Sequence, residues 1–385
     1  MSNGMGVLLF WMLLLLSAYS YFFYPLLLRG LLAWRKTPVT ATPTGAAEPS
    51  MVSLIITAHN EAARIRDKLD NAWAIAYPQD RLDIIVASDC SSDETDAIVG
   101  EYACRGVRLV RAKERLGKEY AQQCAIRVAR GDILVFSDVA TRIPPEAIGK
   151  LAAVFADPRI GAVSSEDRFL SQDGGLVGEG AYVRYEMGLR RMESRLAGLV
   201  GLSGSFFAAR RTVCADWDIH TPSDFNTALN CARLGLKAIT APEVLGYYRD
   251  LKDPRQEYQR KLRTVLRGVT GLARHLEVLN PARFGLFAFQ VWSHKVMRWL
   301  APWCLLALFA VTLAIHNLHW LYALALWGQV GFYGVVLAGH WFPRLRALAP
   351  VRILYFFVQA NVAVAQATLY FLAGRRMTTW RPSSR

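Results

Sequence analysis

The chain has 385 residues, of which 53% are hydrophobic, and it carries a formal net charge of +14. This length exceeds what one compact domain usually needs, and the apolar fraction is above that of common soluble proteins. The six cysteines form no Cys-x-x-Cys pair, which excludes the usual zinc-binding spacings and favours free thiols in a reducing compartment. Basic residues gather beside apolar segments, so the charge favours a membrane surface as partner and argues against nucleic acid.

The N-terminal segment from Val7 to Leu28 is nearly uncharged and long enough to cross a hydrocarbon core of about 30 Å. It lacks the basic start and the cleavage site of a signal peptide, so we predict an uncleaved transmembrane anchor over residues 1–36. Basic residues follow this segment and none precedes it, which by the positive-inside bias places the central region in the cytoplasm. Residues 37–50 are rich in Pro, Thr, Ala and Gly and are predicted to be an extended linker.

From residue 51 to residue 280 short apolar strands alternate with helices. We predict strands at Val52–Thr57, Leu82–Ser88, Val107–Arg111 and Ile133–Ser137, and helices at Glu61–Ala76, Glu94–Cys104 and Lys118–Ala129. This alternation indicates an α/β domain with a mostly parallel sheet that is covered on both faces. Such sheets bind ligands at the carboxyl ends of their strands.

Beyond residue 280 the chain is again apolar. Residues 281–300 mix aromatic with polar and basic side chains, which predicts an amphipathic helix in the membrane interface. Further spans are predicted at Ala301–Ile315, Leu318–Ala338 and Val351–Ala373, within a C-terminal transmembrane region over residues 301–385. Three crossings would leave a basic tail outside, against the positive-inside bias, so the side of the tail stays open.

Polar side chains follow three of the predicted strands where these strands end. Thr57-Ala-His-Asn-Glu61 follows the first strand, Ser88-Asp-Cys-Ser-Ser-Asp93 the second, and Ser137-Asp138 the fourth. Carboxylates and hydroxyls at adjacent strand ends can converge on one ligand, and a carboxylate there can bind a cation. Each motif alone also fits an ordinary helix start, but three in succession favour a ligand site.

The segment from Val52 to Arg267 resembles the inverting family 2 glycosyltransferases, the group of the cellulose, chitin and hyaluronan synthases. The resemblance implies a GT-A domain that binds a nucleotide sugar, usually a UDP-sugar. The donor-binding residues that it implies, including the Gly-Lys element at Gly117, are Thr57, Glu61, Asp89, Asp93, Lys118 and Asp138. Ala140 replaces the second Asp of the Asp-x-Asp motif, so Mg²⁺ or Mn²⁺ would be held by Asp138, the donor phosphates and water.

On the acceptor side, residues 201–207 resemble the family's Gly-rich loop, whose small residues let a sugar hydroxyl approach the backbone; the expected acceptor-side residues are Ser203, Gly204 and Ser205. Thr221-Pro-Ser-Asp224 resembles the Thr-Glu-Asp motif and makes Asp224 the expected general base, although Ser223 replaces the Glu. Arg263 matches the basic part of the Gln-x-x-Arg-Trp motif of the membrane synthases and is expected to meet the donor phosphates. The Gln and the stacking Trp of that motif are missing.

Together these features predict an integral protein of the inner membrane, an inverting hexosyltransferase whose catalytic domain is cytoplasmic. Its acceptor is expected to be a lipid-linked or glycan molecule of extracellular polysaccharide biosynthesis. Two alternatives stay open. One is a processive synthase that moves its product across the membrane, against which the missing Trp argues. The other is a non-catalytic, donor-binding scaffold of a polysaccharide assembly complex, which Ala140 and Ser223 suggest and the retained carboxylates oppose.

Overall fold

The structure is a computed structural model of the chain, and it describes residues 3–35, 49–170, 181–249 and 254–377. All but the last two residues of the predicted linker, 37–50, lie outside these ranges. The chain forms two compact units. One comprises Leu28–Lys252, Thr270–Gln290 and Met377–Arg385, and the other comprises Met1–Leu27, Asp253–Val269 and Val291–Arg376. We call them the sheet unit and the helical unit.

The sheet has seven strands in the order β3-β2-β1-β4-β6-β5-β7. Strands β1 to β7 are Val52–Ala58, Leu82–Ser88, Arg108–Arg111, Ile133–Asp138, Ile160–Leu170, Phe206–Arg210 and Lys237–Arg249. The pairs β1/β2, β1/β4, β2/β3 and β5/β7 are parallel, and β6 runs antiparallel to both of its neighbours. The predicted mostly parallel sheet is therefore confirmed.

Fourteen α-helices occur among the described residues. Helices α1 to α14 are Asn3–Ala18, Tyr24–Arg35, Ala62–Trp73, Thr95–Glu101, Lys118–Val128, Ala147–Val154, Ala181–Leu196, Ser223–Arg233, Pro254–Arg274, Pro281–Val291, Met297–Ile315, Trp320–Trp341, Pro343–Arg346 and Ala349–Leu372. The strands and helices predicted for residues 52–129 are present, and no end differs by more than three residues. Helix ends fray into other turns, as at the 3-10 turn after α4, and sequence patterns place them poorly.

The central strand β1 is buried along its whole length and serves two separate cores. Leu54 and Ile56 pack into the core that also receives residues of α3, α4 and α6. Ile55, on the opposite face, packs with residues of α5 and α8. Because successive side chains of a strand point to opposite faces, an uninterrupted apolar run means burial on both.

Among the described residues, four helical segments are long and apolar enough to cross a membrane: Asn3–Trp34, Pro281–Ile315, Trp320–Trp341 and Ala349–Leu372. They include the predicted N-terminal and C-terminal spans. In the helical unit Phe10 packs with Leu308, Ile315 and Tyr322, so the first span contacts two of the later ones.

The segment predicted as an interfacial helix, residues 281–300, is continuous with the span that follows it. α10 is broken at Gly285, whose φ of 51° and ψ of −126° suit glycine, and a π-helical turn at Trp292–Val296 joins it to α11. α11 begins at Met297, which lengthens a span predicted to begin only at Ala301. An interfacial position for residues 281–300 stays a prediction.

Candidate active site

The first two sequence motifs interlock at the carboxyl ends of β1 and β2. Asn60 and Cys90 follow these strands with a φ of 53°, which is uncommon for residues other than glycine. His59 Nδ1 donates to the carbonyl oxygen of Asp89 at 2.7 Å, and Ser92 N donates to Asn60 Oδ1 at 2.8 Å. The two turns therefore fix each other's positions.

Asp93 and Glu61 have structural partners at this edge. Asp93 accepts hydrogen bonds from the backbone nitrogens of Ala62 and Thr95, both at 3.0 Å, so it caps the first turns of α3 and α4 together. Burial raises the pKa of Asp93, but these hydrogen bonds and that of the Thr95 hydroxyl outweigh it and leave the pKa below its ordinary value. Glu61 pairs with Arg64 at 2.6 Å, and its burial raises its pKa. Donor binding by Asp93 and Glu61 stays a prediction.

Asp89 and Thr57 carry buried polar atoms that no described residue satisfies. Asp89 is fully buried; its Oδ1 accepts from Gly117 N at 3.1 Å, while Oδ2 has no hydrogen-bond partner. Thr57 Oγ1 is likewise buried without a partner. Burial raises the pKa of Asp89. A buried polar atom without a hydrogen bond destabilises a fold by about 1–3 kcal/mol. A bound ligand that forms hydrogen bonds with these two atoms would explain why they are present.

Lys118 connects the donor-side and acceptor-side motifs. It begins α5 directly after Gly117, whose φ of 106° is one that L side chains rarely adopt. Its Nζ donates to Asp138 Oδ1 at 2.5 Å and to the carbonyl oxygen of Gly204 at 2.8 Å. Asp138 N also donates to the carbonyl oxygen of Ser205 at 3.0 Å. The structure thus brings Lys118, Asp138 and the Gly-rich loop together.

Asp224 lies beside the same loop. A Cβ atom placed on Gly204 would be 3.6 Å from Asp224 Oδ2, and Leu202 N donates to the backbone oxygen of Asp224 at 3.3 Å. The N-cap of α8 is Pro222, so Asp224 stands in the first turn of the helix and is not its N-cap. Its side chain is partly exposed. The contact with Gly204 places a carboxylate where an acceptor hydroxyl could reach it.

Two carboxylates beside this loop were not predicted from the sequence. Asp167 on β5 is partly buried and accepts from Ser203 Oγ at 2.7 Å, and desolvation raises its pKa. Glu119 on α5 is 2% exposed, and its Oε1 accepts from Ser223 N at 3.3 Å at the start of α8. Asp167 lies in the polar run Ser164-Ser-Glu-Asp-Arg168 of β5, so the local sequence does not single it out. Nothing in the local sequence distinguishes Glu119 from a solvated helix charge.

A buried lysine supports the Asp138 segment from the α3 side. Lys68 is 3% exposed, and its Nζ donates to Ser137 Oγ at 2.7 Å and to the carbonyl oxygen of Thr141 at 2.6 Å. Burial lowers the pKa of Lys68 to about 7, against the opposing effect of Asp138. These two bonds fix the chain on both sides of Asp138.

Hydrogen bonds and ion pairs of Asp218 stabilise the loop that leads to Asp224. Asp218 accepts from Thr221 Oγ1 and from Arg274 Nε, both at 2.8 Å, and lies 3.2 Å from His275 Nε2. On the other side of the ring, an Arg233 nitrogen lies 2.6 Å from His275 Nδ1. Burial and the Arg233 guanidinium lower the pKa of His275, against the opposing effect of Asp218.

Acid is expected to destabilise the protein through His275. Because folding lowers the pKa of this ring, the unfolded chain takes up the proton first as the pH falls through about 6.5, and unfolding is favoured below that pH. His275→Gln should make the loss of thermal stability between about pH 7 and pH 5 smaller than in the wild type. His220→Gln, at an exposed position nearby, is the matched control. Identical pH profiles for wild type and His275→Gln would contradict the prediction.

Arg263 lies on α9 in the helical unit. Its burial, together with Arg267 and Arg260, lowers its pKa. Its neighbours in the helix, Leu262 and Leu266, pack with Ala367. Contact between Arg263 and the donor phosphates stays a prediction.

The carboxylate expected to hold a divalent cation is Asp138, at the end of β4 and 24% exposed. No group of three or more His, Cys, Asp or Glu side chains that could hold a metal occurs in the part of the chain that the structure describes. Mg²⁺ commonly binds through one or two carboxylates together with substrate phosphates and water. The residues therefore fit a cation that is shared with the phosphates of a donor, and they do not form an all-protein cage.

Comparisons with known proteins agree with this site. Residues 53–217 match the model of the family described as Glycosyl transferase family 2. The chain is 32% identical over 126 residues to the probable glycosyltransferase YdaM of Bacillus subtilis, a match that covers 31% of this chain and 30% of that protein. It is 25% identical over 211 residues to the beta-monoglucosyldiacylglycerol synthase of Synechocystis sp., covering 51% and 44%. These matches thus span less than half the length of the curated relatives.

Among solved structures, the chain is similar to the mannosyltransferase PcManGT of Pyrobaculum calidifontis, which was solved in complex with GDP-Man and Mn²⁺. The TM-score is 0.73 at 25% identity, and the match covers 96% of this chain and 100% of that one. The predicted GT-A fold and the resemblance to family 2 are confirmed. The finer grouping with cellulose, chitin and hyaluronan synthases stays a prediction.

Proposed function

We propose, on the premise that residues 53–217 form a glycosyl transferase family 2 domain, that this protein transfers a sugar with inversion from a nucleoside-diphosphate donor to an acceptor at a membrane surface. The observation that carries the proposal is the double contact of Lys118, whose Nζ bonds both to Asp138 and to the Gly204 carbonyl oxygen. One side chain thereby links the expected diphosphate position to the loop beside Asp224. A module that only bound the donor would not need a carboxylate on the acceptor side.

The nucleoside is proposed to bind at the ends of β1 and β2, where Asp89 Oδ2 and Thr57 Oγ1 are buried and have no hydrogen-bond partner among the described residues. The diphosphate would then lie near Lys118 and Asp138, within reach of a charge-assisted hydrogen bond from the ammonium. The sequence resemblance favours a UDP-sugar, whereas the Pyrobaculum relative was solved with GDP-Man. Both classes of donor therefore belong in the first screen.

The positions of these residues support the following reaction. Asp224 takes the proton of an acceptor hydroxyl while that oxygen forms a bond to the anomeric carbon and the bond from this carbon to the diphosphate breaks. Lys118 donates to the departing diphosphate, on which negative charge develops. A divalent cation held by Asp138 and the donor phosphates would supply further charge neutralisation. Attack opposite the leaving group inverts the anomeric centre.

The acceptor is proposed to be a lipid or a lipid-linked glycan at the cytoplasmic face of the inner membrane. Four candidate membrane spans support a membrane location, and basic residues after the first span support the cytoplasmic side. The Synechocystis relative is named for the synthesis of a glycolipid, beta-monoglucosyldiacylglycerol. The Sinorhizobium fredii relative, 31% identical over 137 residues that cover 34% of this chain and 32% of that protein, is named as an N-acetylglucosaminyltransferase. A role in polysaccharide biosynthesis remains part of the proposal.

The test is release of nucleoside diphosphate by the purified full-length protein in lipid nanodiscs, screened across UDP-sugars and GDP-sugars with Mg²⁺ or Mn²⁺. Candidate acceptors are a diacylglycerol and a polyprenyl-linked glycan. We expect release with one donor class and incorporation of its sugar into the acceptor. Donor binding by calorimetry without release or incorporation for any pair would favour the non-catalytic scaffold, and products of many sugars would favour the processive synthase.

Removal of the divalent cation is expected to abolish most of the activity. Chelation should lower the turnover number by about 10²-fold, the scale of one lost electrostatic contact to a developing charge, and Mn²⁺ should restore it. Asp138→Asn should show the same loss without recovery in excess Mn²⁺. Asp132→Asn, at the exposed opposite end of the same strand, is the matched control. Full activity in chelator would remove the cation from the proposed reaction.

A further inference from the structure

The sequence leaves open whether α14, the last candidate span, crosses the membrane. α14 is the least apolar of the four candidate spans, and the exposed residues Arg375 and Arg376 follow it. With one crossing in Pro281–Ile315 and a return in α12, α14 begins on the side where Pro281 lies. A further crossing would place the two arginines on the opposite side, against the positive-inside bias.

α9 identifies one surface of the membrane. Seven of its 21 residues are charged, which is too many for the hydrocarbon core, so α9 lies along the surface. The sheet unit precedes and follows Asp253–Val269 in the chain, as expected for a helix that does not cross. A Cβ atom placed on Gly268 of α9 would be 3.2 Å from Trp299 Cζ2, near the start of α11. We call the surface where α9 meets the start of α11 the near side, and the leaflet on that side the near leaflet.

The C-terminal end of α14 packs against α9. Tyr258 Oη donates to Gln366 Oε1 at 2.6 Å, and Leu262 and Leu266 form a buried cluster with Ala367. Ala367 lies 18 residues beyond the start of α14, which is about 27 Å along a helix. In a helix that crossed a core of about 30 Å, Ala367 would therefore lie close to the opposite surface. Its contact with α9 places it on the near side instead.

The beginning and the middle of α14 also contact residues of the near side. A Cβ atom placed on Gly339, two residues before α12 ends, would be 2.9 Å from Val351 Cγ1. The ring centroids of Tyr21 and Phe357 are 5.7 Å apart, and the Tyr21 ring lies 5.4 Å from the guanidinium of Arg298 at the start of α11. Because α14 is one continuous helix with such contacts at its start, middle and end, it runs along the near side.

α14 lies within the near half of the bilayer and not above it. The ring centroid of Phe332, nine residues before α12 ends, is 6.3 Å from that of Phe357. Nine helical residues span about 13 Å, which stays within one half of a core of about 30 Å. Large apolar side chains are exposed along α14, as expected for contact with acyl chains, and these are Ile353, Phe356, Val362, Leu369 and Leu372.

The end of α14 carries basic side chains beside aromatic rings. The Arg375 guanidinium lies 4.7 Å from the ring centroid of Tyr370, and the Arg376 guanidinium lies 4.3 Å from that of Phe371. Such pairs suit the boundary between acyl chains and headgroups, because the ring stays in the apolar layer while the charge reaches the surface. Residues 278–385 contain no Asp or Glu, so the charge of this stretch has one sign. Anionic headgroups are its complement at a membrane surface.

We propose that α14 does not cross the membrane but lies in the near leaflet, where Arg375 and Arg376 bind anionic lipid headgroups. The basic residues after α14 then lie on the same side as α9, in agreement with the positive-inside bias. Only three of the four candidate spans cross. The inference concerns the position of a helix and its lipid contacts, so it does not depend on the proposed glycosyl transfer.

Cysteine labelling of the full-length protein with a membrane-impermeant maleimide tests the position of α14. Cys104 of the wild type is exposed, and no candidate span among the described residues separates it from α9, so it reports the near side. Asn317→Cys, in the exposed turn between α11 and α12, reports the opposite side, and Met377→Cys reports the end of α14. We expect intact spheroplasts to label Asn317→Cys alone. Permeabilisation with detergent should add Cys104 and Met377→Cys, each identified by peptide mass spectrometry.

Equal labelling of Met377→Cys and Asn317→Cys in intact spheroplasts would overturn the position proposed for α14. Labelling of Met377→Cys and Cys104 in intact spheroplasts, with Asn317→Cys protected, would support that position but contradict the cytoplasmic location given under the proposed function. The labelling pattern therefore separates the two proposals.

Hydrogen–deuterium exchange tests the headgroup contact in nanodiscs of phosphatidylcholine with or without phosphatidylglycerol. We expect exchange at residues 373–377 to slow when phosphatidylglycerol is present, because the anionic surface holds the arginines. Arg375→Gln and Arg376→Gln should each reduce this slowing about fivefold, the scale of one basic residue near an anionic surface. Arg344→Gln, which removes an exposed positive charge between α12 and α14, is the matched control and should keep the full slowing.

Equal exchange in both lipid compositions, or a slowing that survives both replacements, would overturn the headgroup contact. An equal reduction in Arg344→Gln would overturn it in favour of an effect of overall charge. The same slowing by inorganic phosphate in nanodiscs of phosphatidylcholine alone would overturn it in favour of a free anion as the ligand.

Discussion

Replacing Asp224 by Asn is expected to lower the turnover number by about 10²–10⁴-fold, the usual contribution of a general base, with little change in the KM for the donor. The amide keeps the size of the side chain but does not accept a proton at neutral pH. The variant should fold, because the first turn of α8 keeps its contact between Ser223 N and Glu119, and Leu202 N bonds to the backbone oxygen at position 224. The measurement is nucleoside diphosphate release with saturating donor and acceptor.

Asp216→Asn is the matched control for this change. Asp216 lies eight residues earlier, its side chain is 87% exposed, and it lies 3.9 Å from Arg233. It should turn over like the wild type. A turnover number for Asp224→Asn that equals that of Asp216→Asn would assign the proton to another group. Asp167, which accepts a hydrogen bond from Ser203 in the same loop, would be tested next.

The sequence predicted the strands and helices from β1 to β4 well for a physical reason. β1, β2 and β4 are short apolar runs, and each is followed by residues that favour turns and helix starts. Parallel strands place such ends at one edge of the sheet, so the proximity of the motifs after them follows from the pattern alone. In this region the residues that favour helix starts also lie where the sheet places the site. Asp93 is an example, because it caps two helices and lies at the edge of the site.

The part of the sheet that contains β5 to β7 was less predictable, because its position depends on how strands that are distant in the sequence pair with each other. β6 enters the sheet antiparallel between β4 and β5, and its register sets Ser137 opposite Phe206. This pairing brings the loop before β6 to the end of β4, and with it the Gly204 carbonyl oxygen to Lys118. No spacing within the chain specifies that β6 should lie there. The π-helical turns at Tyr19–Phe23 and Trp292–Val296 were missed for a related reason, since an apolar helix pattern does not reveal one inserted residue.

The two departures from the family motifs have different consequences in the structure. Ser223 replaces a Glu, yet Glu119 places a carboxylate at the same helix start, where its Oε1 accepts a hydrogen bond from Ser223 N. Ala140 replaces an Asp, and the part of the chain that the structure describes gathers no group of acidic or His side chains to stand in for it. Instead, the ammonium groups of Lys118 and Lys68 lie on the two sides of the Asp138 segment. The Asp138 segment therefore contacts two ammonium groups, while Ala140 stands at the position of the motif's second carboxylate.

Because its ammonium group contacts Asp138, Lys118 is the second residue on which activity should depend strongly. Lys118→Gln is expected to lower the turnover number by about 10²–10³-fold, as for the loss of one donor to a developing oxyanion. Binding of Mn²⁺ in the presence of the donor nucleotide, followed by electron paramagnetic resonance, should be kept or strengthened, because Asp138 Oδ1 no longer accepts from the ammonium. Loss of turnover with retained metal binding separates Lys118 from Asp138, whose replacement should remove both.

Lys113→Gln, an exposed lysine five residues earlier, is the matched control and should behave as the wild type. Lys118→Arg should recover part of the turnover, because it restores the charge but places it on a larger, planar guanidinium where one compact ammonium contacts both Asp138 and the Gly204 carbonyl oxygen. Wild-type turnover in Lys118→Gln would show that the lysine only bridges two loops. Loss of Mn²⁺ binding together with turnover would mean that Lys118 acts by holding Asp138 in place and not by contacting the diphosphate.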